Sequence, residues 1–125
     1  MIVSKSIIRK RKLLLQDTMS HFNSENRCIN SKGGCHYHPI NSENPEKTEG
    51  CAIGRKLTKK LAKQLDKSSG GVNIAFVFLP RKLQILGVDF LGEIQNLHDC
   101  GKNWNTEGIS GLGQVRADLI LKEYC

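Results

Sequence analysis

The residues with the most to offer chemically begin at residues 50–56, Gly-Cys-Ala-Ile-Gly-Arg-Lys, where two glycines and two bases open an amphipathic segment. Free backbone N–H groups and the positive end of the helix dipole attract phosphate at such a start, and Arg55 and Lys56 add full charges. The stretch lacks the GxxxxGK[ST] spacing of a Walker A loop, so it does not specify a triphosphatase. The plainer alternative is that Gly54 only allows close packing against a neighbour. Tyr37 and Trp104 stand in loop-like segments, where an aromatic face could cover a nucleobase. Asn103, His98 and Asp99 carry donors and acceptors suited to the polar edge of such a base. The competing reading is that both aromatics close the core of a chain with only 6% aromatic residues. Tyr37, Arg55, Lys56, His98, Asp99, Asn103 and Trp104 are therefore the expected ligand-binding set, with a phosphorylated nucleotide as the expected ligand.

Cysteine and histidine form a second constellation, Cys28-x6-Cys35-His36-x-His38-x12-Cys51. It holds enough soft and borderline ligands for tetrahedral zinc, but not the tight CxxC spacing of a zinc knuckle. Five cysteines is an odd count, and no secretory signal is expected from the basic, interrupted N-terminal stretch. The expectation is that Cys35 and Cys51 are reduced and structural, with no cofactor and zinc as the minority alternative. Cys35–His36 and His98–Asp99–Cys100 superficially suggest nucleophilic catalysis. Adjacent helical residues point about 100° apart, however, so adjacency does not build a triad, and no enzyme is expected. Asp89 and Glu93, at i and i+4, suit a metal or a solvated acidic face.

The chain that must position these residues has 125 amino acids, 14.0 kDa and a net charge of +7. Its 38% hydrophobic content lies below the ~45–50% usual for soluble domains, which suits one modest core and a single domain spanning 1–125. No apolar run nears the ~20 residues needed to span a bilayer, and no signal-like segment follows the basic N-terminus. A cytoplasmic location without a membrane partner is expected. Charge is clustered: residues 1–12 hold five bases and no acid, residues 55–67 hold six bases and one acid, and Arg81–Lys82 follow. Residues 83–125 carry three bases and six acids. Such blocks make a local positive field, or simply solvated helix faces.

The fold class expected is mainly α, with α+β possible: a compact domain of about four helices and a short β element. Residues 5–22 have helical spacing through Ile8, Leu15, Met19 and Phe22. A Gly/Pro loop over 30–50 leads to a cationic helix over 52–67, with Ile53, Leu57, Leu61 and Leu65 on its apolar side. Residues 72–78, β-branched and aromatic, suit a strand paired with the Cys35–His38 region. Pro80 opens a short helix over 81–86, and Gly87 breaks it. Residues 88–101 form the next helix around Phe90, Leu91, Ile94 and Leu97. Ser110 caps a last helix over 110–123 whose core side includes Val115, Leu119 and Leu121.

Several of these segments together resemble a group of small bacterial and phage proteins. The shared motifs are Cys35–His36–Tyr37, Cys51–Ala52–Ile53–Gly54, Leu86–Gly87–Val88–Asp89–Phe90–Leu91, Leu97–His98–Asp99 and Asn103–Trp104. The resemblance spans Cys35 to Trp104 and brings a phage or prophage context but no catalytic template. That context, taken with the Gly50–Lys56 chemistry, leads to the expectation of a binder that antagonises host defence by sequestering a nucleotide signal, with a homo-oligomer helping to build the pocket. The alternative is a basic binder of nucleic acid or of an acidic host protein. No helix-turn-helix or RNA-recognition signature points to sequence-specific reading.

Overall fold

The computed structural model describes residues 3–25, 52–53, 56–58, 60–61, 64–65 and 76–125. Helix α1, Lys5–His21, starts where the Ser4 hydroxyl accepts the Ile7 N–H at 3.2 Å. It ends where Phe22 turns extended while its N–H still reaches the Thr18 carbonyl. Leu14, Leu15 and Thr18 face inward, and Thr18 satisfies its buried hydroxyl by donating to the Leu14 carbonyl at 2.8 Å.

The cationic helix expected over 52–67 is corrected at its start: positions 52 and 53 form a turn, 56 is 3₁₀ and 57–58 are non-helical, whereas 60, 61, 64 and 65 are helical; Ala52, Ile53 and Leu65 are buried. The strand expected over 72–78 is corrected at its described end. Phe76–Phe78 is a 3₁₀ turn, with Val77 and Phe78 exposed. Its carbonyls have other partners than a β ladder: Leu79 N–H donates to Phe76 O, and the Gln84 amide donates to Phe76 O at 3.0 Å and Val77 O at 3.3 Å. The segment proposed to pair with it, Cys35–His38, is outside the described residues.

Helix α2, Arg81–Gln84, follows Pro80, and two further turn residues lead to Gly87. Gly87 has φ +93°, a region closed to most L side chains, and redirects the chain into α3, Val88–Asp99. Helix α3 is the spine of the core, burying Phe90, Leu91, Ile94, Gln95, Leu97 and His98. It stops before the expected Gly101 because side chains take over its last carbonyls. Asn103 Nδ2 donates to Leu97 O at 2.9 Å, and Trp104 Nε1 is shared between Leu97 O and His98 O at 3.0 and 3.1 Å.

After a 3₁₀ turn at Gly101–Asn103, β1 (Trp104–Asn105) pairs antiparallel with β2 (Gly108–Ile109), Trp104 opposite Ile109. The Asn105 side chain closes the hairpin by accepting the Glu107 and Gly108 N–H groups. Ser110 then caps α4, Gly111–Tyr124, by accepting the Gly113 N–H at 3.1 Å. The inward side of α4 is Gly113, Ala117 and Ile120; the expected core residues Val115, Leu119 and Leu121 are exposed. Small residues decide this face. A Cβ on Gly113 would collide with the Asn103 carbonyl and stand 2.7 Å from Ile109 Cγ1, so only glycine lets the helix approach this closely.

The described chain is thus mainly helical, with the four α-helices given above, the helical positions 60, 61, 64 and 65 and one small antiparallel hairpin, packed around a cluster that joins Leu15 and Phe22 to Phe90, Ile94, Trp104 and Ile120. Among the described residues, no helix is long and apolar enough to cross a membrane.

Candidate functional site

Two of the seven residues expected to bind ligand, Tyr37 and Arg55, lie outside the described residues. The remaining five do not share one open site. Trp104 is 5% exposed and Asn103 and His98 are 0% exposed, so Trp104 offers no open stacking platform; Asn103 borders a separate cavity between α3 and α4. Phe22 covers this group: its ring meets His98 edge-on at 4.7 Å and Trp104 at 6.1 Å. His98 Nδ1 lies 2.7 Å from Asp99 Oδ1, which also accepts the Gln95 amide at 3.1 Å. Gln95 in turn accepts the Ile53 N–H at 3.3 Å. These residues work as a buried polar seam: they satisfy helix ends and tie residue 53 to α3.

Lys56 is placed differently. It lines a groove of about 420 Å³ with Lys10, Asp17 and Lys82, over Leu13, Leu14, Leu83 and Leu86. Lys10, Leu13, Leu14 and Asp17 recur at i, i+3, i+4 and i+7, so one stripe of α1 forms a side of the groove. Helix α2 and the turn behind it supply Lys82, Leu83 and Leu86. Lys56 Nζ is held 2.7 Å from Asp17 Oδ2, both side chains about one-third exposed. The groove therefore gathers one base from each of the three basic stretches on an aliphatic floor. Lysine ammonium groups in such a setting act as point charges for phosphate or carboxylate.

Nothing in the sequence pattern around Lys10 and Lys82 marks them as partners of Lys56. The available signal is only the alternation of bases with leucines, Lys10 before Leu13–Leu14 and Lys82 before Leu83. Arg11, counted with the N-terminal basic block, is taken up by the fold: Nε donates to Leu86 O at 2.9 Å and Nη1 to Tyr124 O at 3.0 Å. Its guanidinium also lies over the Phe90 ring, 5.4 Å from the centroid.

Cys100, whose adjacency to His98–Asp99 builds no triad, has a distinct environment. The Arg116 guanidinium donates to its sulfur at 3.0 Å, and this hydrogen bond, with the Lys102 backbone and nearby positive charge, lowers its pKa. Burial instead pushes the Cys125 thiol up. Among the described residues, no three His, Cys, Asp or Glu side chains are grouped to hold a metal; Cys28, Cys35, His36, His38 and Cys51 lie outside them.

In comparisons with known proteins, no family model matches the chain, and no curated protein or solved structure shows significant similarity to it.

Proposed function

We propose that this chain binds a phosphate-bearing nucleotide, without altering it chemically, in the groove between α1 and α2. The observation that carries the proposal is the meeting of Lys10, Lys56 and Lys82 over a leucine floor. Phosphate oxygens take the ammonium groups, while the flatter part of the ligand rests on Leu13 and Leu83. A groove of about 420 Å³ falls within the ~300–1,000 Å³ range of small-ligand sites. Asp17 fixes Lys56 but opposes an anion, so selectivity in this proposal comes from phosphate charge. Trp104, Asn103 and His98 are buried, and recognition is proposed at the lysines of the groove. The motif resemblance adds a phage or prophage setting, in which such binding would sequester a nucleotide signal of the host.

Exposed Lys5, Arg9 and Lys12 on α1 and Arg81 on α2 extend positive charge beyond the groove, and they favour a second reading. In it the same face holds nucleic acid or an acidic host protein. Calorimetry against mononucleotides, cyclic nucleotides and ADP-ribose-type ligands, with the recovered ligand checked by mass spectrometry, separates the two. Saturable one-site binding of an unchanged nucleotide supports the first reading. No heat with any nucleotide, together with tight binding to DNA or RNA that falls steeply with salt, supports the second.

A further inference from the structure

A second cavity, of about 270 Å³, opens between α3 and α4 and, among the described residues, shares no lining residue with the basic groove. Its lining combines one cation, Arg116, two carboxylates, Glu93 and Glu123, the amides of Asn96 and Asn103, and an apolar surface from Leu97, Leu119 and Ile120. The guanidinium is held from one side only. Nη1 donates to Asn103 Oδ1 at 2.9 Å and to Cys100 Sγ at 3.0 Å. Asn103 is itself fully buried and anchored by its amide on Leu97 O at 2.9 Å, so the orientation of Arg116 is set by the core. Among the described residues, Nε and Nη2 of Arg116 donate to no protein group, and neither Glu93 nor Glu123 forms an ion pair with it.

A fixed cation with donors to spare, two unpaired carboxylates on the same cavity and an aliphatic surface make a complementary set for one class of small molecule. We propose that this cavity binds a free aliphatic α-amino acid. Its carboxylate meets the unused guanidinium donors, its ammonium meets Glu93 and Glu123, and its side chain lies on Leu97, Leu119 and Ile120. Arginine suits a carboxylate because its planar fork offers paired N–H donors. The cavity is smaller than the usual ~300–1,000 Å³ of drug-sized sites, which fits a ligand of this size better than a nucleotide. The inference is independent of the reading of the basic groove.

The test is an amide NMR titration of the full chain with L-leucine, and with N-acetyl-leucine and leucinamide, which lack the ammonium and the carboxylate respectively. L-leucine is expected to shift the signals of Leu97, Arg116 and Leu119 saturably. Each blocked analogue is expected to bind about tenfold more weakly, as for loss of a charged hydrogen bond. Glu123→Gln, at an exposed position, should weaken leucine binding while leaving the remaining spectrum in place. No saturable shift with leucine, isoleucine or valine at about 10 mM, well above the ~1 mM dissociation constant of weak ligands, would overturn the proposal. Equal binding of the blocked analogues would overturn it too.

Discussion

Arg11 Nη1 donates a hydrogen bond to the Tyr124 carbonyl at 3.0 Å, joining the first helix to the last turn of the final one across 113 positions of sequence. The same guanidinium reaches Leu86 O through Nε, just before the Gly87 bend, and lies near the rings of Phe90 and Tyr124. One side chain thus connects α1, the α2–α3 turn and the end of α4.

Lysine cannot span two carbonyls in this way, since it lacks the rigid fork. Arg11→Lys should therefore cost about 2 kcal/mol, the range for hydrogen bonds from charged donors. The exposed neighbour Lys12→Ala should stay within about 0.5 kcal/mol. Urea unfolding of the two variants checks this, and equal midpoints would contradict the role given to Arg11.

Gly113 makes a second structural prediction. Gly113→Ala places a Cβ against the Asn103 carbonyl and Ile109, with backbone on one side that cannot rotate away. A loss of about 3 kcal/mol is expected, at the upper end for overpacking. Gly111→Ala, where a Cβ meets nothing within 4 Å, is the control and should be close to neutral. Thermal melting of both variants reads the difference.

How far the sequence could lead is clearest in α4. Ser110 announced its start and the apolar period its length, but the period also pointed Val115, Leu119 and Leu121 at the core. Hydropathy along one helix does not record that Gly113 and Ala117 allow the closest approach to the hairpin; that depends on where Asn103 and Ile109 lie. Trp104 shows the same limit. Its fate turns on capping the carbonyls of Leu97 and His98 after a tight turn, which composition does not reveal. Residues 76–78 had strand-like side chains, and the Gln84 amide still took their carbonyls. Lys56 was legible as an anion-binding candidate from its position, but its companions Lys10 and Lys82 come together only through packing.

Cys100 should react with iodoacetamide faster than Cys125 near neutral pH, because the Arg116 hydrogen bond lowers the pKa of the first thiol and burial raises that of the second. Arg116→Met should move the pH midpoint of Cys100 alkylation upward. The folded value lies below the unfolded one, so the contacts to the thiolate stabilise the fold above the unfolded thiol's pKa. That contribution is lost as pH falls through the folded value. Peptide mapping of alkylation against pH provides the readout.

Asp17 limits the basic groove. Asp17→Asn removes the one carboxylate among the described residues that line it and frees Lys56 from its 2.7 Å ion pair. Nucleotide affinity should rise by about fivefold, corresponding to the ~1 kcal/mol of a partly exposed pair. Weaker binding would show that Asp17 positions Lys56 more than it repels the ligand.

Charge reversal decides most directly whether the groove is the functional site. Lys82→Glu and Lys5→Glu change the net charge equally, but only Lys82 lines the groove. Calorimetric titration of the wild-type chain and both variants with the best nucleotide of the panel is predicted to show at least about a tenfold loss for Lys82→Glu and less than about twofold for Lys5→Glu. Equal losses at the two positions would contradict the groove and point to a diffuse basic face.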